Sequence, residues 1–156
     1  MTAIWAFLHE VGFLLWIGGG LAAIVVLGAL SRLDTAGLGG VTRVMLALHR
    51  WLLGPGVLIT TGSGLFLAFG MYRIEGVAEG GLSASGTWVL VMIASGLLAA
   101  IIAIVAVLPD ASHLARLDPS AGDALIQRAL LQRLRRRTWL MTALALLAWL
   151  GGRLGS

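Results

Sequence analysis

The sequence predicts an all-α fold: a polytopic membrane four-helix bundle with a cytoplasmic amphipathic helix between its third and fourth spans. Three observations predict it. The first is composition, with 59% hydrophobic and only 12% charged residues in 156 and a mean hydropathy of +0.97. A soluble domain carries roughly 45–50% apolar and about 25% charged residues, so one compact core could not hide this much apolar surface and lipid must solvate part of it. The second is the recurrence of apolar runs near the roughly 20 residues that cross a bilayer at 1.5 Å per residue. The third is the distribution of arginine, which supplies all 11 basic residues.

Each span follows from its own run. The first covers about 3–30 and is uncharged from Val11 onward. Its N-terminus has neither the positive n-region nor the cleavage site of a signal peptide, so it reads as a retained helix. The second covers about 44–69 and is uncharged after Arg50, with Pro55 expected to kink it. Thr60 and Thr61 could return hydroxyls to the carbonyls the proline frees. The third covers about 87–108 and is expected to stop at Pro109. The fourth, about 138–154, is the shortest.

The connections differ in kind. Residues 31–43 are short and Gly-rich, and residues 73–86 read as a loop on the outer face. Residues 109–137 are longer and basic. Ser120 and Asp123 have the spacing of a capping box, and Leu125, Leu130, Leu131 and Leu134 recur among Gln127, Arg128, Gln132 and Arg133 at helical spacing. That pattern predicts an amphipathic helix near the membrane surface, running into the fourth span. Nine arginines (32, 43, 50, 116, 128, 133, 135, 136 and 137) fall on one side and two (73 and 153) on the other. The positive-inside rule then places both termini outside a bacterial inner membrane. Arginines clustered in so apolar a chain set topology or touch anionic headgroups, so no nucleic-acid partner is expected. The partners implied are the bilayer itself, a homo-oligomer or a membrane redox protein.

With no cysteine, disulfides, thiolate metal sites and cysteine redox centres are excluded. No nucleophile–base constellation, phosphate loop or carboxylate pair lies in the spans, so hydrolase and ATPase chemistry have no support. Polar groups in lipid are expensive and mark candidate sites. His9 and Glu10 lie about two turns into the first span, and His49 and Arg50 about two turns into the second. His9 shares a helical face with Gly12, Trp16, Gly19 and Ala23. Such a face suits a flat cofactor lying against bare backbone, and equally suits close helix packing. His9 is then either a ligand or an interfacial histidine bonded to water or Glu10. His49 is either a metal ligand or a headgroup-level side chain beside Arg50, and His113 reads as an ordinary loop residue. Met92 and Met141 could serve as soft ligands or as core filler. His9 and His49 fall near opposite faces, roughly 15–20 Å apart at helical rise, so they cannot ligate one iron together. Trp5, Trp51, Trp88 and Trp139 read as interfacial anchors, while Trp16 and Trp149 lie deeper.

The run Leu8-His9-Glu10-Val11-Gly12-Phe13-Leu14-Leu15-Trp16-Ile17-Gly18-Gly19 resembles the first helix of the CopD/HemJ-like group of small bacterial membrane proteins. Pro55-Gly56 leading to Thr60 and Gly62 is similar to that group's second helix, and Trp88 falls where its third helix opens. The likeness covers about the first 110 residues. It implies either a haem b protein of oxidoreductase type, with His9 as axial ligand, or copper handling. The chain departs from the HemJ pattern at Met92, where a lysine is expected, and at Arg136-Arg137-Thr138, where an asparagine–glutamate pair is expected. Both departures weigh against protoporphyrinogen oxidation, and the closer likeness is to shorter relatives without an assigned role. Three functions follow as expectations. One is a haem b redox or electron-transfer protein using His9, Trp16, Gly19 and Arg50. Another is a copper-handling protein using His9, Glu10, His49 and Met92. The third is an accessory subunit with no chemistry of its own.

Overall fold

The computed structural model describes residues 2–30, 38–70, 84–117 and 124–155. The expected capping box at Ser120–Asp123, most of the outer loop and residues 31–37 lie outside them. The described residues are almost wholly helical and contain no strand, which makes the fold an all-α bundle. The first helix is α1 (Thr2–Leu30). The second runs from α2 (Leu38–Leu48) through a π-turn at His49–Leu53 into α3 (Gly54–Gly70). The third runs from α4 (Ala84–Ile102) through a π-turn at Ala103–Val107 into α5 (Leu108–Leu114). The fourth is α6 (Ala124–Gly155).

Three helices have the length and composition to cross a membrane, over Ala3–Leu30, Thr42–Ala68 and Thr87–Leu114, and between 28% and 44% of their most apolar stretches is buried. The outward faces carry Phe7, Leu14, Val25, Leu58, Ile101 and Val105, each at least half exposed. That surface is compatible with lipid and incompatible with water as its sole solvent.

Two features differ from the sequence expectation. The second helix begins at Leu38, before the expected start near residue 44, because Thr42 and Met45 already face the core. The third helix does not stop at Pro109. A π-turn precedes the proline, and Pro109 then sits in the first turn of α5, where a missing N–H costs little. Pro55 follows its own π-turn at the same offset. In both turns an N–H reaches five residues back, Gly54 to His49 and Leu108 to Ala103, which absorbs the ring that would otherwise clash within a regular α-helix. As expected, the amphipathic segment runs into the fourth apolar run, and the two form one continuous 32-residue helix. At 1.5 Å per residue it is about 48 Å long, longer than the roughly 30 Å of hydrocarbon. Its buried positions Gln127, Leu131, Leu134, Thr138, Met141, Ala145 and Ala148 alternate in steps of four and three. This is one unbroken seam through the arginine cluster and the apolar half.

The four helices pack in a bent row. The second lies on the first, the first on the fourth and the fourth on the third, while α3 and α4 scarcely touch. The first and second helices pack through glycine. A Cβ on Gly12 would come 2.7 Å from the Thr60 backbone nitrogen, one on Gly56 would come 2.6 Å from that of Trp16, and one on Gly19 would meet Leu52 and Leu53 at 3.2–3.3 Å. Gly20 against Thr142 and Gly151 against the Trp88–Met92 backbone make the same close approach to and from α6. At the arginine-rich end Asp110 binds Arg137 at 2.6 Å, with Arg133 at 3.8 Å, tying α5 to α6.

Two predictions follow from this packing. Gly56→Ala should lower the midpoint of thermal unfolding in detergent, the overpacking of about 1–3 kcal/mol exceeding the helix propensity gained. Gly18→Ala, with nothing near its Cβ position, should be neutral or stabilising by up to about 1 kcal/mol. Asp110→Asn should cost about 1.5–3 kcal/mol, the range for hydrogen bonds to charged groups, nearer the lower end because Arg137 is 29% exposed. Arg137→Gln measured in the same assay should cost no more than Asp110→Asn.

Candidate functional site

Because α3 and α4 diverge, a cleft opens between them, and α1 forms its floor. The cavity is about 210 Å³. Three rings of α1 line it in sequence: His9 meets Phe13 edge to face at 4.9 Å, and Phe13 stacks on Trp16 at 6.2 Å. Gly64 and Ala68 of α3 and Met92 and Gly96 of α4 form the walls. The lining is almost wholly apolar and includes the small residues Gly64, Ala68 and Gly96.

The geometry of His9 is set from the second helix. Its Nδ1 lies 2.9 Å from the Thr60 carbonyl and 3.2 Å from Ser63 Oγ. A carbonyl can only accept, so Nδ1 carries the proton and donates it. Ser63 in turn donates to the Ile59 carbonyl, which leaves a hydroxyl lone pair facing His9. The neutral ring therefore keeps its lone pair on Nε2, which makes no hydrogen bond among the described residues. This is how ligating histidines are held, with the second ring nitrogen donating to a carbonyl so that the tautomer and the ring plane are fixed. Gly64 makes the arrangement possible, since a Cβ there would lie 2.7 Å from His9 Cε1. The Nε1 of Trp16 is buried without a partner, as is the Thr60 hydroxyl.

On its other side His9 borders a smaller cavity of about 170 Å³, with Glu10, Met92, Trp149, Gly152 and Arg153. Here Glu10 pairs with Arg153 at 3.1 Å and accepts from Trp149 Nε1 at 3.4 Å, and the Arg153 guanidinium lies over the Trp149 ring. Glu10 is therefore bonded to α6 and not to the neighbouring histidine.

Of the residues singled out from sequence, His9, Trp16 and Met92 come together in the cleft. Gly19 does not; it packs on Leu52 and Leu53. His49 and Arg50 lie at the opposite end, in a cavity of about 530 Å³ with Ser112 and Arg116. Thr60, Trp16 and Leu53 lie opposite Gly12, Gly56 and Gly19 respectively, and His49 is one turn past Leu53. His9 and His49 are thus on the order of 20 Å apart at helical rise. Arg50 is exposed and stands over the Trp51 ring at 5.8 Å, and Met141 is core filler. Among the described residues no three of His, Asp and Glu converge on one point.

Sequence reasoning missed three parts of the site: Ser63, Gly64 and the Thr60 carbonyl. The signal was present only as pairing. Once Gly12 is set against Thr60, His9 must fall beside the next turn of α3. Compared with family models, curated proteins and solved structures, the chain matches none.

The three histidines should differ in reactivity. Under diethyl pyrocarbonate, His113, which is exposed, should be modified first. His9, facing the cleft, should follow. His49, 1% exposed, should be slowest and react only as the bundle opens. Peptide mass spectrometry over a time course reads the order, and early modification of His49 would contradict this burial.

Proposed function

We propose that the protein is a four-pass protein of the bacterial inner membrane that holds haem b in the cleft between its second and third helices, with His9 as axial ligand. One observation carries the reading. The Nδ1–H of His9 is committed to the Thr60 carbonyl, and its lone-pair Nε2 has no partner among the described residues beside an apolar, glycine-walled cleft. Gly64, Gly96 and Ala68 would let a flat macrocycle approach the helix backbones, and Phe13 and Trp16 offer ring faces. Trp16 Nε1 is a spare donor for a polar edge. Met92 borders the cleft and the smaller outer cavity alike, so a thioether is at hand as a soft second ligand. Bound haem supplies one-electron chemistry. The chain's own part is to fix the imidazole, exclude water through the ring floor and keep Glu10 engaged with Arg153.

The CopD/HemJ-like resemblance agrees with this reading, and the departure at Met92 favours electron transfer over porphyrinogen oxidation. Copper handling has the narrower support of one imidazole and one thioether near each other. The topology rests on the arginines. Arg50, Arg116, Arg133 and Arg137 gather at one end of the bundle and Arg153 stands at the other, with the basic start of α6 projecting beyond the hydrocarbon on the cytoplasmic side.

Protein purified in detergent from haem-replete cells should show a Soret band that His9→Ala abolishes and His49→Ala retains. A colourless preparation, or a band lost with His49 in place of His9, would sink the proposal. Copper at one equivalent per chain in place of iron, again lost in His9→Ala, would favour the copper reading. Because the chain has no cysteine, single cysteines report topology cleanly. In intact spheroplasts an impermeant maleimide should label Leu154→Cys and leave His113→Cys unlabelled until the cells are lysed.

A further inference from the structure

The larger cavity, at the arginine-rich end, has a different chemistry from the cleft. It lies where the second helix meets the third, with His49, Arg50 and Gly54 on one wall and Leu108, Ser112 and Arg116 on the other. His49 is buried, and its Nδ1 lies 2.7 Å from the Met45 carbonyl one turn back. As for His9, the carbonyl can only accept. Nδ1 therefore carries the proton, and Nε2 is a buried lone pair with no partner. Ser112 already donates its hydroxyl proton to the Leu108 carbonyl at 2.9 Å, so its oxygen too can only accept. No carboxylate lines the cavity. The nearest acid on this helix, Asp110, is bound to Arg137.

The cavity is thus lined by two arginines, whose guanidinium groups only donate and carry positive charge, and by the Ser112 hydroxyl, which only accepts, with His49 beside them holding a buried, unpartnered Nε2 lone pair. A metal cation would be repelled by the arginines. A fully deprotonated anion would leave the acceptors unmet. The set is complementary to an anion that also carries a proton. We infer that this cavity binds a phosphate monoester group, its charged oxygens on Arg50 and Arg116 and its P–OH on His49 Nε2. Phosphate monoesters have a second pKa near 6, so near neutrality the singly protonated form is the minor one, and a hydrogen bond to His49 Nε2 would select it. A phosphodiester has no such proton. The group could be the headgroup of an anionic lipid of the inner leaflet, where basic pockets between membrane helices hold such headgroups, or a soluble phosphate.

Binding to the full-length protein in mixed micelles, measured by native mass spectrometry, tests the inference. The probes are phosphatidic acid, phosphatidylglycerol, phosphatidylcholine and inorganic phosphate. Phosphatidic acid should bind more tightly than phosphatidylglycerol, and phosphatidylcholine should not bind at this site. Arg116→Gln and Arg50→Gln should each weaken phosphatidic acid about fivefold. His49→Phe should abolish the preference for phosphatidic acid over phosphatidylglycerol while keeping the arginine-dependent part. Since His49 is buried and its variant could misfold, the two exposed arginine variants carry the test independently, with helicity checked by circular dichroism. Displacement of phosphatidic acid by millimolar inorganic phosphate would support the site with a soluble source; binding that requires acyl chains would support it with a lipid source. Equal binding of monoester and diester, wild-type affinity in both arginine variants, or no binding of either phosphatidic acid or phosphate would overturn it.

Discussion

The antiparallel contact between α1 and α3 is the constraint on which the rest depends. Gly12, Gly19 and Gly56 have no side chain, and the opposing backbones of Thr60, Leu53 and Trp16 occupy the space a Cβ would need. Lipid gives apolar helices little reason to associate by hydrophobicity alone, so association relies on this closeness and on interhelical hydrogen bonds. The contact also fixes register. A slide of one residue would drive Thr60 or Trp16 into a neighbour that has a Cβ. With register fixed, the Thr60 carbonyl meets His9 Nδ1 and Gly64 lies under the ring. Helix packing thereby determines which nitrogen of one histidine is left free.

The second organising feature is the pair of prolines. Each follows a π-turn by the same two-residue offset, in helices that face one another at the arginine-rich end. A π-turn widens a helix and interrupts its pattern of side-chain directions. His49 opens the first of these turns, so the distortion required by Pro55 lies beside the His49 cavity. Away from it the two helices part, and the cleft above His9 is the gap this leaves between α3 and α4. The row order of the helices, with α1 between the second and fourth, supplies a floor of aromatic rings where a closed bundle would have had a core.

Much of this was legible in the sequence, and what was not has identifiable physical causes. Composition and apolar runs predict an all-α membrane bundle, because lipid solvation demands long uncharged stretches that satisfy their own backbones. The singling out of His9 rested on the cost of a polar group in such a stretch. The end of the third helix was misplaced because proline was read as a terminator, when a preceding π-turn lets the helix continue through it. The continuity of α6 was legible despite the abrupt change in hydropathy at Thr138, because the four–three alternation from Gln127 to Ala148 runs straight through the change. Gly19 was grouped with His9 because a sequence shows faces of single helices, and Arg50 was grouped with it only as a cation at headgroup level, which the structure places at the opposite end. Whether a glycine faces a neighbouring helix or a cavity is a property of the pair. Ser63 carried no signal of its own, Gly64 read only as part of a small-residue packing pair with Ala68, and both acquired their place in the site only opposite His9.

His9 and His49 show how far local geometry goes and where it stops. Each donates Nδ1–H to a carbonyl and, among the described residues, holds Nε2 without a partner, so the tautomer does not distinguish them. Their surroundings do. His9 looks onto rings, glycines and a thioether, with its nearest charges, Glu10 and Arg153, already paired with each other. His49 shares its cavity with two arginines and no acid. An imidazole lone pair in the first setting favours a neutral or soft acceptor that brings apolar surface with it. The same lone pair in the second favours a proton carried in by an anion. Charge placement thus separates two otherwise equivalent histidines, and it is the basis on which different ligands are proposed for them. A ligand common to both ends would have to be at once apolar and anionic, and about 20 Å long.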